Sequence, residues 1–154
     1  MNNKPKKTII LDTNFLLIPF TLKVDIFSEI DKILNFPYEF VVLEQTIEEL
    51  KKIIKNKEEK GKNKQAAKMA LKLISQKIEK KELKKVNFIN PKQKTLYKDI
   101  NSKDVIVDDI ILEYIDKNTI VATQDKNLKK KLLNKGITTI YLKNKKIMEM
   151  QNVL

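Results

Sequence analysis

The sequence predicts an α/β fold, a three-layer sandwich with a central, mostly parallel sheet. Short apolar runs of strand length alternate along the chain with segments in which apolar residues recur at helical spacing. The run at residues 40–43 is apolar throughout, as in a strand covered on both faces, and residues 8–11 would also suit a buried strand. At 154 residues, the chain fits one domain that is large enough to bury a core.

Each predicted element rests on a local pattern. The helical spacing of Val24, Phe27, Ile30 and Leu34 predicts a helix over residues 24–34, and Pro19 is expected to stop any helix before it. The predicted strands are residues 8–11, 40–43, 86–89, 119–123 and, as the last strand, 137–142. The other predicted helices open near residue 46, follow Gly61, cover about 108–115, and run from about 125 to 135, where Gly136 ends the helix.

The segment Thr46-Ile47-Glu48-Glu49 has the form of a capping box at a helix N-terminus. In that motif the Thr46 side chain caps the helix and Glu49 reaches back to the backbone. The pattern therefore leaves two interpretations of Glu49, a helix cap or an acid with a chemical role.

Residues 1–7 are polar and basic and are expected to form a flexible tail, with residues 8–154 as a single domain. Within that domain, residues 51–85 hold fourteen Lys against four Glu. We expect this segment to be a folded helical arm, because Ala67, Leu71 and Ile74 keep one face apolar. The arm contains no aromatic residue, so a nucleic acid lying there would be held by its phosphates.

The composition excludes several kinds of chemistry. With no Cys and no His, the chain lacks disulfides, thiolate nucleophiles, an imidazole base and the usual zinc sites. Any metal must be held by oxygen, which favours Mg²⁺ or Mn²⁺. The net charge of +12 indicates a polyanionic partner, although all 32 basic residues are Lys, a compositional bias that reduces the weight of this argument. No apolar run is long enough for a membrane span or a signal peptide, so we expect a cytoplasmic protein without a membrane partner.

Four acidic residues fall at predicted strand ends or helix starts: Asp12, Glu49, Asp108 and Asp125. In a parallel sheet with right-handed crossovers these positions lie at one edge. Helix capping is an alternative explanation for the last three, whereas an acid that follows four apolar strand residues is costly to bury without a partner. Clustered carboxylates repel one another unless a cation lies between them, and Thr13, Asn14 and Thr123 could support such a site.

These acids carry a resemblance to a known family. The segment Leu11-Asp12-Thr13-Asn14, the pair Glu49-Leu50, Asp108 at the start of residues 108–112, and residues 121–128 around Asp125 together resemble the motifs of PIN-domain nucleases. The resemblance covers nearly the whole chain and implies a PIN-like fold and a Mg²⁺- or Mn²⁺-dependent endoribonuclease. It implies that the four acids bind the metal and carry the catalysis. Glu48 remains an alternative to Glu49, and Asp109 to Asp108, while Asp104 is a more distant reserve.

Within the family, residues 12–19, 24–27 and 121–125 resemble the archaeal and eukaryotic branch that processes ribosomal RNA more than they resemble VapC toxins. The first hypothesis is therefore an endoribonuclease of ribosomal RNA processing. The alternatives are a VapC-type toxin, which would have an antitoxin protein as partner, and a non-catalytic RNA-binding or assembly protein of the same fold. The resemblance also implies a homodimer. The lysines expected to contact RNA are Lys51, Lys52, Lys55, Lys62, Lys64 and Lys126.

Overall fold

The computed structural model of the chain describes residues 6–87 and 107–151. The predictions for residues 1–5 of the tail, for residues 88–89 of the strand predicted at 86–89, and for Asp104 lie outside these ranges. The strands are β1 (Lys7–Leu11), β2 (Tyr38–Leu43), β3 (Lys84–Val86), β4 (Thr119–Ala122), β5 (Thr138–Lys143) and β6 (Ile147–Gln151). The helices are α1 (Thr13–Leu16), α2 (Ile18–Thr21), α3 (Ile26–Ile33), α4 (Glu44–Lys55), α5 (Gly61–Glu79), α6 (Val107–Tyr114) and α7 (Lys126–Asn134). No helix in the described ranges is long and apolar enough to cross a membrane.

The strands form a six-stranded sheet in the order β3-β2-β1-β4-β5-β6. The first five strands pair in parallel, and β6 pairs antiparallel with β5. The prediction of a central, mostly parallel sheet is confirmed. The prediction that the strand near residues 137–142 is the last is wrong, because the chain turns back through Asn144 and Lys145, which both have positive φ angles of 53° and 61°.

The two faces of the sheet are covered separately, which confirms the three-layer arrangement. Side chains alternate along β1, so that Ile9 and Leu11 pack into the apolar cluster that includes residues of helices α1 to α5. Ile10 lies in the other cluster, beneath α6 and α7. Because β1 is buried on both faces, it is apolar at every position from Ile9 to Leu11.

The centre of the sheet contains its topological switch point. After β1 the chain crosses to β2 on one side, whereas β4 pairs with β1 on the other side. Helices therefore leave β1 and β4 in different directions and open a crevice beyond the carboxyl ends of these two strands. Asp12 follows β1 and Thr123 follows β4, so both residues lie at this crevice.

Helix α1 ends at Leu16, before Pro19, as predicted, but Pro19 itself is part of a further helix that the sequence did not predict. It lies in the first turn of α2, directly after Ile18. Backbone N–H groups in a first turn have no intrahelical acceptor, so a proline is tolerated there.

The capping box predicted at Thr46 is also wrong. Helix α4 begins at Glu44, immediately after β2, and its N-cap is Leu43, whose side chain caps nothing. Thr46 is an interior helical residue that is fully buried. Glu49 is therefore in the second turn of α4 and does not close a capping box.

Candidate active site

Asp12 is the buried centre of the acidic edge. It is 4% exposed, and its backbone N–H donates to the carbonyl of Ala122, which fixes the end of β1 against β4. Its carboxylate accepts one hydrogen bond on each oxygen, from the Thr13 backbone N–H at 2.9 Å and from the Thr123 hydroxyl at 2.6 Å. The first of these bonds makes Asp12 the N-cap of α1, a structural role that its apolar surroundings did not predict.

The electrostatics of Asp12 are those of a carboxylate kept out of water among other acids. Burial raises its pKa from 3.8 to about 6, against the lowering effect of hydrogen bonds from Thr123 and Thr13. Repulsion from Glu49 and Asp125 raises the pKa further. Three of the four predicted acids are thus close enough to sense one another's charge.

Asn14 and Thr123 connect the corner after β1 to the corner after β4. The side-chain carbonyl of Asn14 accepts from the Gln124 backbone N–H at 3.1 Å. The Thr123 hydroxyl, besides donating to Asp12, accepts from the Asp125 backbone N–H at 3.1 Å. These bonds fix the direction in which the β4 corner presents Asp125.

Glu49 is tied to the same corner from α4. The Thr13 hydroxyl donates to Glu49 Oε2 at 2.6 Å, across 36 positions of sequence. Glu49 is half-buried, whereas its neighbour Glu48 is exposed. The geometry therefore favours Glu49 over Glu48 as the member of the acidic group.

Asp108 approaches from α6. Burial raises its pKa from 3.8 to about 6, and repulsion from Asp12, Asp125 and Asp109 adds to the increase, while Lys131 opposes it. Asp109 is exposed, so Asp108 is the residue of this pair that faces the site. Lys131, on α7, is a contributor that the sequence did not single out. The helical spacing of the buried residues Leu128 and Leu132 placed it next to the apolar face, but no motif marked it.

Asp125 has both a structural and an electrostatic role. Its Oδ1 accepts from the backbone N–H groups of Asn127 and Leu128, which makes it the N-cap of α7. The same side chain raises the pKa of Asp12 and of Asp108 by repulsion. The capping interpretation is therefore correct for Asp125, and it does not remove the residue from the acidic edge.

The four acids do not form a closed coordination shell as they stand. Within residues 6–87 and 107–151, no group of three or more acidic side chains is arranged to hold a metal ion. The donor chemistry nevertheless fits a hard cation, since every candidate ligand is a carboxylate oxygen and the acids raise one another's pKa by repulsion. The position of Asp12 is fixed by its two hydrogen bonds.

A family model described as a PIN-like domain matches residues 9–145. The chain belongs to the PIN-domain family. The resemblance drawn from the acidic motifs is thereby confirmed. Ribonuclease VapC4 of Methanocaldococcus jannaschii is 33% identical over 144 residues, which cover 92% of this PIN domain and 95% of VapC4.

Two solved structures share the fold of this PIN domain. The PIN domain endonuclease Utp24 aligns with a TM-score of 0.69 at 21% identity, covering 96% of this chain and 92% of Utp24. A domain of a functionally unknown protein from Methanocaldococcus jannaschii aligns with a TM-score of 0.57 at 18% identity, covering 96% and 99% of the two chains. At these identities the likeness establishes the architecture alone.

The lysines predicted to contact RNA lie on three helices of this PIN domain. Most are exposed, and Lys64 is half-buried. Those on α4 are Lys51, Lys52 and Lys55, those on α5 are Lys62 and Lys64, and Lys126 begins α7 directly after Asp125. Their contact with RNA stays a prediction.

Gln124 is a residue of the site that the sequence analysis missed. Its side-chain amide donates to the Leu142 carbonyl at 3.0 Å and accepts from the Leu142 backbone N–H at 2.7 Å. It thus imitates a backbone pairing with β5 and holds the corner that carries Thr123 and Asp125. The feature of the sequence that could have indicated a role for Gln124 is its position between Thr123 and Asp125.

Proposed function

We propose that this PIN domain is a metal-dependent endoribonuclease that hydrolyses phosphodiester bonds of RNA. The observation that carries the proposal is the electrostatic coupling of Asp12 to Glu49, Asp108 and Asp125 at the switch point of the sheet. Buried, mutually repelling carboxylates lower the stability of a fold, and a cation that binds them offsets that cost. The name of the homologous Ribonuclease VapC4 supports RNA as the substrate.

The residues fit a divalent oxygen-binding cation, Mg²⁺ or Mn²⁺. Asp12 would be its central ligand, with Glu49, Asp108 and Asp125 as the other ligands. When bound, such an ion supplies neutralisation of phosphate charge and a lower pKa for a water molecule. The chain has no His or Cys, so neither an imidazole nor a thiolate can serve as the base.

The supporting residues keep Asp12 ionised and oriented. Hydrogen bonds from Thr123 and Thr13 lower the pKa of Asp12 against the effect of burial. Thr13 also joins Asp12 to Glu49, since its N–H donates to the first acid and its hydroxyl to the second. Lys131 favours the ionised form of Asp108. These contacts are available before RNA binds, which is the preorganisation that electrostatic catalysis requires.

Two biological roles are compatible with this chemistry in the cytoplasm. Processing of ribosomal RNA was the first expectation from the sequence, and the likeness to the PIN domain endonuclease Utp24 supports the fold and not this role. A VapC-type toxin has equal support, because VapC4 matches almost end to end. A small reading frame for an antitoxin protein beside the gene would favour the toxin, and its absence would favour ribosomal RNA processing.

The test uses purified protein and single-stranded RNA with Mg²⁺, with Mn²⁺, and with a chelator. We expect cleavage only with metal, and loss of cleavage in Asp12→Asn and Asp125→Asn. Glu113→Gln is the matched control, because Glu113 is an exposed acid on α6 and its loss should leave activity intact. Circular dichroism checks that each variant is folded. Metal-dependent cleavage that survives in both Asp variants would contradict the proposal, and RNA that binds but stays whole with every metal would favour the non-catalytic alternative.

A further inference from the structure

A cavity lies at the edge of the sheet where the parallel strands begin, opposite the acidic edge. It has a volume of about 690 Å³ and opens beside the amino-terminal half of β2, where it is lined by residues that include Lys6, Tyr38 and Phe40. Strand β3 pairs with β2 only from Val41 onward. Among the described residues, the start of β2 therefore has no strand on that side, and the cavity occupies this space.

The charge around the cavity is positive. Lys6, Lys81, Lys84 and Lys85 all line it and are all exposed. Two acids, Glu39 and Glu82, also line the cavity. Glu82 forms an ion pair with Lys77 at 2.8 Å, and that contact lowers the pKa of Glu82. A concave surface bounded by four ammonium groups attracts phosphates.

An aromatic wall completes the cavity. Tyr38 and Phe40 line it, and their rings meet edge to face with centroids 5.2 Å apart. Phe40 in turn packs against Phe27 at 5.0 Å, and the Tyr38 hydroxyl donates to Asp31, so the Tyr38 ring is held at both ends. The lysine-rich arm has no aromatic residue of its own, and the fold supplies one from β2. Lysines beside a fixed aromatic ring are the elements of a single-strand binding platform.

We propose that this cavity binds a nucleotide of single-stranded RNA, with Tyr38 stacking on its base and Lys81, Lys84 and Lys85 contacting the neighbouring phosphates. The inference rests on the proposed function, since it names a second contact for the same RNA. The six residues of β2 separate the two edges by roughly 20 Å. An RNA must therefore extend several nucleotides past the acidic edge to reach the cavity, and the site selects longer single strands.

The fold offers a closely matched pair of variants. Lys81 and Lys145 are both lysines in the left-handed region, with φ of 60° and 61°, and only Lys81 lines the cavity. Substitution by glycine relieves backbone strain at either position, so neither change should unfold the protein. The site variant is Lys81→Gly with Lys84→Gln, and the control is Lys145→Gly with Lys146→Gln. Both remove two positive charges.

Binding of a fluorescent oligouridylate long enough to span both edges, the long RNA, is measured in a chelator, so that the RNA stays intact. We expect the site variant to bind the long RNA severalfold more weakly, with the slope of log affinity against log salt reduced by roughly 1.4, about 0.7 for each lost phosphate contact. The control variant should bind as the wild type does. Tyr38→Leu should weaken long-RNA binding, while Tyr38→Phe, which keeps the ring, should not.

Equal losses in the site and control variants, or no loss in either, would overturn the inference. The same measurements distinguish a failure of this inference from a failure of the proposed function. If metal produces no cleavage while the site variant still loses long-RNA binding, the proposal for the cavity is supported and the nuclease assignment is contradicted. If cleavage is metal-dependent while substitution of Lys81, Lys84 and Tyr38 leaves long-RNA binding unchanged, the nuclease assignment is supported and the proposal for the cavity is contradicted.

Discussion

The hydroxyl of Thr123 donates a hydrogen bond of 2.6 Å to Oδ2 of Asp12, across 111 positions of sequence. This contact joins the ends of β4 and β1 at the point where the two halves of the sheet diverge. It also opposes the effect of burial on the pKa of Asp12. The carboxylate at the centre of the site therefore depends on a side chain from the far half of the chain for its position and its charge.

Thr123→Val should raise the pKa of Asp12 above about 6 and reduce RNA cleavage by about tenfold, which corresponds to about 1.4 kcal/mol and to the loss of one hydrogen bond to a charged group. Carbon-detected NMR of the Asp12 carboxyl in metal-free protein measures the pKa, and cleavage assays measure the rate. Thr123→Ser keeps the hydroxyl and is the control. A Val variant with the pKa and rate of the wild type would show that this bond does not set the charge of Asp12.

In the absence of metal, Asp12 and Asp108 should contribute more to the free energy of unfolding in mild acid than at neutral pH. The pKa of each is raised from 3.8 to about 6 in the folded state, so between these values the folded state binds more protons than the unfolded state. The stabilising contribution is complete below about pH 4 and is lost as pH rises through about 6. For the buried Asp12 it amounts to about 3 kcal/mol, and for the half-exposed Asp108 it is smaller.

Urea unfolding in a chelator at several pH values from 4 to 8 measures this dependence. Because other groups titrate too, the informative quantity is the difference between wild type and Asp12→Asn. The variant should be the more stable of the two at pH 7.5, and its advantage should disappear near pH 4. Added Mn²⁺ should stabilise the wild type more than the variant, since a cation favours the ionised carboxylate. Parallel pH curves for the two proteins would contradict the expectation.

The elements that depend on local pattern were predictable from sequence. An apolar run that ends in Asp12 identified β1 and its corner, and Gly61 and Gly136 marked where α5 begins and α7 ends. The errors occurred where tertiary context outweighs a local signal. Thr46 looks like a cap in isolation, but α4 continues directly from β2 and starts two residues earlier.

Strand β6 was missed because its turn uses Asn144 and Lys145 in a backbone conformation that usually signals glycine. The composition of the site was predictable from the order of its acids, but the connections within it were not. Periodicity could not reveal that Thr13 joins Asp12 to Glu49, or that Lys131 opposes the repulsion on Asp108, because each contact depends on how separate helices pack.

Glu49→Gln should reduce RNA cleavage by about tenfold or more and weaken the apparent affinity for Mn²⁺, while Glu48→Gln should change neither. Glu49 accepts from Thr13 and acts on Asp12, whereas Glu48 is exposed one position earlier on the same helix. Since α4 has no capping box, neither variant removes a helix cap, and thermal unfolding measures what each variant does to stability. A destabilised Glu49→Gln with unchanged metal affinity would instead indicate that Glu49 is a structural residue.

Thr46→Val should stabilise the protein by about 1 kcal/mol in urea unfolding, because it replaces a buried hydroxyl that has no partner among the described residues with a methyl group of the same shape. Thr119→Val is the control. Thr119 is also buried, but its hydroxyl donates to Asp116 at 3.1 Å, so its loss should destabilise the fold by a similar amount.

Thr46 lies one helical turn before Glu49, so RNA cleavage by the stabilised Thr46→Val variant is informative as well. Full activity would assign the hydroxyl no chemical role, whereas a loss of activity with a gain in stability would show that the unpaired hydroxyl is retained for function.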